Sequence, residues 1–346
     1  MEIARVATEC LPTGGGAVEE AVERAVRLLR DGQTVALPTE TVYGLAADAL
    51  RPEAVVKIFE AKERPFFDPL IVHVPGVEWI PRLTAASAPV NARVRALVER
   101  FWPGPLTLVL PRTEEVPDLV TSGMETVAVR MSAHPVFAAV VRAFGKPLAA
   151  PSANRFGRIS PTCAEHVCSE LSGRIPLVVD GGACLHGVES TIVAVRPGGM
   201  EILRAGPVTA AELGEFGEVE LRSPAAHAGR SLVEAPGQLA SHYAPRTLML
   251  LASDLGAARG ASERAGLLAW RSVPAGHAFA AVEVLSASGD LREAASSLFA
   301  KMRRLDAAGL DLIVAEPVPE DGVGVAIMDR LRRASHRAVE KGSDVY

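Results

Sequence analysis

Between Thr34 and Val74 two short apolar runs bracket a dense set of chemically able side chains. Thr34 to Leu37 reads as a strand and Leu70 to Val74 as a second, buried strand. Arg51 to Lys62 reads as the helix between them, with Val55, Ile58 and Phe59 apolar. Around these elements run Pro38-Thr39-Glu40-Thr41-Val42-Tyr43-Gly44-Leu45, then Lys62-Glu63-Arg64-Pro65, then Asp68-Pro69, with His73 on the second strand. Loops at strand ends are where open α/β sheets place ligand groups. A Lys-x-Arg pair beside prolines sets fixed positive charge on stiffened backbone, which suits phosphate or carboxylate. Taken alone, Lys62 and Arg64 read more readily as a solvated surface loop. The whole run is far denser in function than such a loop needs.

The rest of the chain continues the α/β pattern. Ala17 to Arg30 has a helical period, and Gly32 fits its stop. Gly14, Gly15 and Gly16 lack the ending of a phosphate-binding loop and read as a flexible lead-in. Asn91 to Phe101 reads as a helix that Trp102-Pro103-Gly104-Pro105 must end, because proline removes a donor and clashes. Leu106 to Leu110 and Thr126 to Met131 read as strands. The second carries Arg130 in apolar company, which is costly unless an anion pairs with it. Val136 to Phe144 is helical, Pro147 to Ala150 a short strand, and a helix begins near Ala164 behind Ser160-Pro161-Thr162. Ser and Thr there serve readily as caps. Leu177 to Asp180 reads as a strand that Gly181-Gly182 turns, with Val188 to Val193 as its hairpin-like return. Ser190 lies outside any G-x-S-x-G elbow, so a serine hydrolase is rejected. Arg204 precedes a glycine turn in Ile202 to Gly206. The expected fold is a mixed α/β sheet, because several strands are joined by short turns only.

Composition shifts at Phe216 to Ala235, which reads as a linker closed by Pro236-Gly237 and Ser241-His242-Tyr243-Ala244-Pro245. Beyond it, strands at Leu248 to Leu251, Leu267 to Trp270, Ala281 to Leu285 and Leu312 to Ala315 alternate with helices at Asp254 to Ala261, Asp290 to Leu305 and Ala326 to Arg337. Alternation of this kind predicts a small parallel-sheet domain. At 346 residues two domains are expected. The boundaries read as 1–215 for the first domain, 216–246 for the linker and 247–346 for the second domain. Arg330, Arg332, Arg333 and Arg337 could touch RNA, but a solvated helix face is the simpler reading.

The net charge of −5 supplies no global basic field for nucleic acid. Four cysteines are too few and too irregular for a disulfide scaffold. Cys163, His166 and Cys168 lie close together, yet their spacing is no standard zinc site, and ordinary helix residues is the better reading. No apolar run is long enough to span a bilayer, and Glu2, Arg5 and Glu9 argue against a signal peptide. A soluble, cytoplasmic protein is expected.

Eight short strings then occur in one order. They are PTETVYGL; K-x-R-P leading to P-L-I-V-H; A-V-R at 128–130; P-S-A-N at 151–154; S-P-T at 160–162; V-E-S-T-I at 188–192; L-R-x-G at 203–206; and H-Y-A-P at 242–245. Together they resemble the YrdC-like family, the threonylcarbamoyl-AMP synthases. The run Val325 to Leu331 is similar to the extra domain of the long, two-domain members. The resemblance implies a YrdC-like twisted mixed sheet around a concave cleft and a Rossmann-like C-terminal domain. It implies nucleotidyl transfer, in which L-threonine, bicarbonate or CO₂, and ATP give threonylcarbamoyl-adenylate and pyrophosphate. The product would serve threonylcarbamoyladenosine modification of ANN-decoding tRNA, through a separate tRNA threonylcarbamoyl transferase complex.

By motif position, the resemblance implies that Thr39, His73, Arg130, Ser152 and Ser190 bind L-threonine, with Arg130 clamping its carboxylate. It implies that Arg64, Asp68, Thr126, Asn154, Thr162, Arg204 and Tyr243 bind ATP. Lys62 and Arg64 would neutralise phosphate charge, and Mg²⁺ would arrive on the phosphates with no dedicated protein ligand. Tyr243 lies in the linker, so the linker would close as a lid and shield a labile mixed anhydride from water. The residues suit this chemistry, since positioning and charge neutralisation carry most of phosphoryl chemistry.

Two departures stand out. Family members usually carry Asn at the position of Asp68, and a carboxylate there would repel a triphosphate unless it held magnesium. Gln238, Leu239, Ala240 and Ser241 stand where long members tend to have Met and basic residues, so restoring basic residues at 239 and 241 is expected to tighten ATP binding. A competing reading is an RNA-binding or ribosome-assembly factor using the same cleft, which salt-sensitive RNA binding would favour. A carbamoyl-transferring relative would add acylphosphatase and zinc-finger segments, which this sequence does not contain.

Overall fold

The computed structural model describes residues 6–222, 236–237, 242–252, 264–273, 276 and 279–342, with side chains at 89 and 337–342 excepted. The expected helix over 254–261 and the departure at 238–241 lie outside the described residues.

Eleven strands of the first part of the chain form one mixed sheet. They are β1 (Glu9–Pro12), β2 (Val35–Leu37), β3 (Gly44–Asp48), β4 (Ile71–His73), β5 (Leu106–Pro111), β6 (Thr126–Arg130), β7 (Leu148–Ala149), β8 (Leu177–Asp180), β9 (Thr191–Arg196), β10 (Gly199–Arg204) and β11 (Val219–Leu221). Their order across the sheet is β1-β8-β2-β3-β7-β4-β6-β5-β9-β10-β11. The helices between them are α1 (Val18–Arg30), α2 (Pro52–Lys62), α3 (Ile80–Leu83), α4 (Ala88–Phe101), α5 (Asp118–Thr121), α6 (Pro135–Phe144), α7 (Ala164–Leu171) and α8 (Ala210–Gly214). Helix α1 buries Ala21, Ala25, Val26, Leu28 and Leu29, the stripe its period predicts. Gly32, with φ +66°, takes the left-handed position that ends it. Helix α4 stops at Phe101, before the proline-rich string.

Three features depart from the sequence reading. Gly44–Asp48 is a wholly buried strand that pairs antiparallel with β2. The return of β8 is not β9. Instead β9 lies parallel to β5 and makes its hairpin with β10, so the turn is at Pro197-Gly198 and not at Gly181-Gly182. Val219–Leu221, inside the stretch read as linker, adds a parallel edge strand to β10.

Alternation of side chains across the strands makes two faces. One face carries Leu45, Ala47, Val72, Leu108, Val127, Val129, Val193 and Val195, buried with residues of α2 and α4 in one large core. On the other face, β2, β7 and β8 pack against α1 and α6. Further along that second face, Ile71, Val109, Ala128, Ile192, Ala194 and Leu203 form a small cluster drawn from strands alone.

The chain divides into two compact units. The first comprises Met1–Phe156, Pro161–Leu185 and Glu189–Gln238, and the second Gly157–Ser160, His186–Val188 and Leu239–Tyr346. The second unit has its own four-stranded, wholly parallel sheet of β12 (Leu248–Leu251), β13 (Ala265–Ala269), β14 (Ala281–Val284) and β15 (Leu312–Ala315), in the order β12-β15-β13-β14. Its helices among the described residues are α9 (Leu291–Ala307) and α10 (Gly324–Gly342). Asp290 caps α9 by accepting from the backbone N–H groups of Arg292 and Glu293. The parallel sheet is the one that the alternation predicted. Among the described residues, no helix is long and apolar enough to cross a membrane.

Candidate functional site

The second face of the first unit's sheet brings the predicted polar residues together. His73 of β4 is in register with Arg130 of β6, and Arg130 with Thr107 of β5. In-register neighbours share a face, so imidazole, guanidinium and hydroxyl stand in one row. Thr126 starts the same strand that Arg130 ends, and four residues along a strand return to the same face about 13 Å away. Ala128 lies between them, in the small apolar cluster. The arrangement is an apolar floor with a polar group at each end.

Arg130 is 3% exposed, and the anion that its apolar strand demanded is Glu40. Its Nη2 donates to Glu40 Oε1 at 2.7 Å and to Thr41 Oγ1 at 3.1 Å, and its Nε donates to the Gly104 carbonyl at 3.2 Å. No hydrogen bond of the described residues uses its Nη1. Glu40 Oε2 accepts from Ser132 Oγ at 2.5 Å. Burial works against the Glu40 charge, but Arg130 and Ser132 outweigh it and hold the carboxyl down at about 2. His73 is buried against the Phe137 ring, centroids 4.6 Å apart, and its Nδ1 has no hydrogen-bond partner among the described residues. Burial, aided by the Arg130 charge, pushes its pKa down to about 3, so the ring is neutral near pH 7.

The turn holding Glu40 is built by Thr39. Its Oγ1 accepts from the N–H groups of Thr41 and Val42, donates to the Val42 carbonyl at 2.6 Å, and lies 2.8 Å from Thr41 Oγ1. Thr39 therefore shapes the loop that presents Glu40 and Thr41. Ser190 Oγ lies 2.8 Å from Thr107 Oγ1 and accepts from Arg204 Nη2 at 3.1 Å, which links the two predicted ligand sets directly. Gly206 is required beside them, because a Cβ there would meet Thr191 N at 2.4 Å and Glu189 O at 2.6 Å. Ser152 bridges to Gly44, and no hydrogen bond of the described residues engages its hydroxyl.

The Lys-x-Arg pair is split by its middle residue. Glu63 has φ +54°, which ends α2 and sends its two neighbours to different partners. Lys62 turns inward, where Nζ donates to the carbonyls of Ser152 at 2.5 Å and Asn154 at 2.6 Å. Burial, with the Arg64 charge beside it, pushes the ammonium well below its ordinary range. Lys62 thereby holds the loop that carries Ser152 and Asn154. Arg64 donates to the carbonyls of Asp68 at 3.1 Å and Pro69 at 2.8 Å. Its Nη2 also lies 2.8 Å from Asp68 Oδ2, an ion pair without good hydrogen-bond alignment. Asp68 is thus a fully buried counter-ion to Arg64. Burial raises its pKa against the lowering effect of Arg64.

Asn154 Nδ2 donates to the Arg155 carbonyl at 2.7 Å, and the Thr162 backbone N–H donates to His166 Nδ1 at 3.2 Å. Tyr243 belongs to the second unit. There it has φ +60°, stacks on Phe299 with centroids 5.6 Å apart, and lies under the Arg330 guanidinium at 5.2 Å. Arg330 is wholly buried and paired with Asp329 at 3.0 Å, so it leaves the solvated face proposed for the arginine run. Arg332 pairs with Glu320, and Arg333 with Asp329 at 2.8 Å. Sequence reasoning assigned no role to Glu40, Thr41, Thr107 or Ser132. The signal for Glu40 was present, since an arginine in an apolar strand requires an anion and PTETVYGL contains one.

A polar-ended face on a mixed sheet, followed by a separate parallel-sheet unit, defines a two-domain, YrdC-like α/β protein. The Sua5/YciO/YrdC family profile, described as "Telomere recombination", matches residues 27–206, and that of the "Threonylcarbamoyl-AMP synthase, C-terminal domain" matches 208–336. The threonylcarbamoyl-AMP synthase of Pyrococcus abyssi is 39% identical over 332 residues, 92% of this chain and 94% of the relative. That of Bacillus subtilis is 37% identical, covering 91% and 92%. The chain belongs to the threonylcarbamoyl-AMP synthase family. Among solved structures, P. abyssi Sua5 complexed with L-threonine superposes with a TM-score of 0.85 at 36% identity, covering 95% of this chain and 98% of that one. A double-substitution variant of the same protein gives 0.87 at 35% identity, covering 95% and 96%.

Proposed function

We propose that this chain is an L-threonylcarbamoyladenylate synthase, joining L-threonine, bicarbonate or CO₂, and ATP into threonylcarbamoyl-AMP with release of pyrophosphate. The observation that carries this is the near full-length relationship to proteins named for that activity. The RNA-binding reading gains nothing from these relatives.

In this reading the threonine carboxylate docks on Arg130 through Nη1, the guanidinium nitrogen without a hydrogen-bond partner among the described residues. Ser152 and Ser190 offer hydroxyls, and neutral His73 offers Nδ1 as an acceptor. Thr39 acts through the turn that it builds. Arg64, Asn154, Thr162, Arg204 and Thr126 hold the nucleotide, and Tyr243 joins that set by motif position alone. The bond Ser190 Oγ to Arg204 couples the two subsites. The threonine carbamate attacks the α-phosphorus of ATP and pyrophosphate leaves. No protein nucleophile is required, because the gain comes from alignment and from fixed positive charge. Magnesium would neutralise phosphate charge and travel with ATP, since Asp68 is committed to Arg64. Transfer of the product to tRNA by a separate enzyme complex, and a cytoplasmic setting, belong to the same proposal.

Pyrophosphate release tests it, measured on the full chain with ATP, magnesium and bicarbonate, with L-threonine, with L-serine, or with neither. Release that requires threonine and is lost in Arg130→Ala is expected. Release independent of the amino acid overturns the reading.

A further inference from the structure

We propose that Glu40 is the ammonium-binding half of the amino-acid site whose carboxylate-binding half is Arg130; this rests on the amino-acid-binding reading above. Glu40 and Arg130 are each almost wholly buried and face one another as a pair of opposite charges at 2.7 Å. An α-amino acid has the complementary pattern, with its nitrogen and a carboxylate oxygen about 3 Å apart across one carbon. The pair is therefore spaced to meet a zwitterion, guanidinium to carboxylate and carboxylate to ammonium.

The hydrogen-bond inventory agrees. Arg130 has committed Nε and Nη2 to Gly104, Glu40 and Thr41, which fixes its plane and leaves Nη1 for a ligand. An ionised carboxylate has about four acceptor sites. Glu40 gives one to Arg130, one to Ser132 and one to its own backbone N–H, so one acceptor site remains. Its neighbours around Arg130 are hydroxyls and a neutral imidazole, none of which can balance an ammonium charge. The turn built by Thr39 fixes the backbone around Glu40, and Arg130 and Ser132 fix its carboxylate. An ammonium recognised here is the nitrogen that must become the carbamate, so Glu40 also sets where that nitrogen stands.

Titration calorimetry on the full chain tests this with two ligands, L-threonine and 2,3-dihydroxybutanoate, which replaces the ammonium by a hydroxyl. The wild type is expected to favour threonine by about tenfold or more, the usual weight of a hydrogen bond between charged groups. Glu40→Gln is expected to shrink that ratio to about twofold, mainly by weakening threonine. Glu40→Asp, which keeps the charge, is expected to retain more of it, and decides the matter if the glutamine variant does not fold. Equal weakening of both ligands, or an unchanged ratio, overturns the inference while leaving the amino-acid site standing. Failure of the wild type to bind threonine overturns both.

Discussion

Removing the Arg130 side chain alone strands a carboxylate that is 6% exposed and held at about 2 by that guanidinium. An uncompensated buried charge costs about 3–5 kcal/mol. Arg130→Ala is therefore expected to lower the denaturant midpoint strongly, and Glu40→Gln/Arg130→Ala to recover much of the loss. If the double variant is no more stable than the single one, Glu40 is not the charge left behind. Asp68 poses the same question at the other pair. Asp68→Asn keeps the volume and releases Arg64 from its counter-ion, so a non-hydrolysable ATP analogue is expected to bind about threefold to tenfold more tightly. Unchanged affinity in calorimetry would mean that the Arg64 charge does not reach the phosphates. Both pairs mark the limit of sequence reading at this scale. The sequence shows that Arg130 needs an anion and that Asp68 is an unusual carboxylate. It does not show that Glu40 already serves Arg130, because the two are 90 positions apart and meet only through sheet order.

At the scale of elements, the legible parts are those whose hydrophobic period stands alone: α1, α2, α6, β5, β6 and the whole β12–β15 series. Strand β3 escaped notice because Gly-Leu-Ala-Ala-Asp is small and follows the polar motif without a break. The partner of β9 escaped because Gly181-Gly182 is as good a turn signal as Pro197-Gly198, and only long-range pairing with β5 decides between them. The role of Lys62 also lies at this scale, since it acts on a loop. Lys62→Met leaves the carbonyls of Ser152 and Asn154 without their buried donor, at about 1–3 kcal/mol each. Because Ser152 and Asn154 share one loop, KM is expected to rise for threonine and ATP together, and the salt dependence of ATP binding to stay as in the wild type. A phosphate contact would behave otherwise: ATP alone would weaken, and its salt dependence would shrink.

At the scale of the whole molecule, the two units carry separate cores, and their response to acid is expected to differ. His73 is neutral in the folded first unit, with its pKa pushed from 6.5 to about 3 by burial. Its unfolded form takes up a proton below 6.5 and its folded form does not, so folding stability is lost as pH falls from 6.5 towards 3. The slope is about 1.4 kcal/mol per pH unit once the unfolded histidine is fully charged. Glu40, depressed from 4.5 to about 2, adds a second loss as pH falls through 4.5. In the second unit the lowered carboxylates of Glu293 and Glu320 are solvent-facing, where such effects are small. Trp79 and Trp102 report on the first unit and Trp270 on the second. Tryptophan-detected melting of Trp270→Phe is therefore expected to fall steadily between pH 6.5 and 4. His73→Gln in that background should flatten the fall by removing one of the groups that titrate only on unfolding; His134, also lowered by burial, accounts for part of what remains. Parallel pH dependence in the two proteins would remove His73 as the acid-sensitive element of the sheet, and with it the buried neutral imidazole beside Arg130.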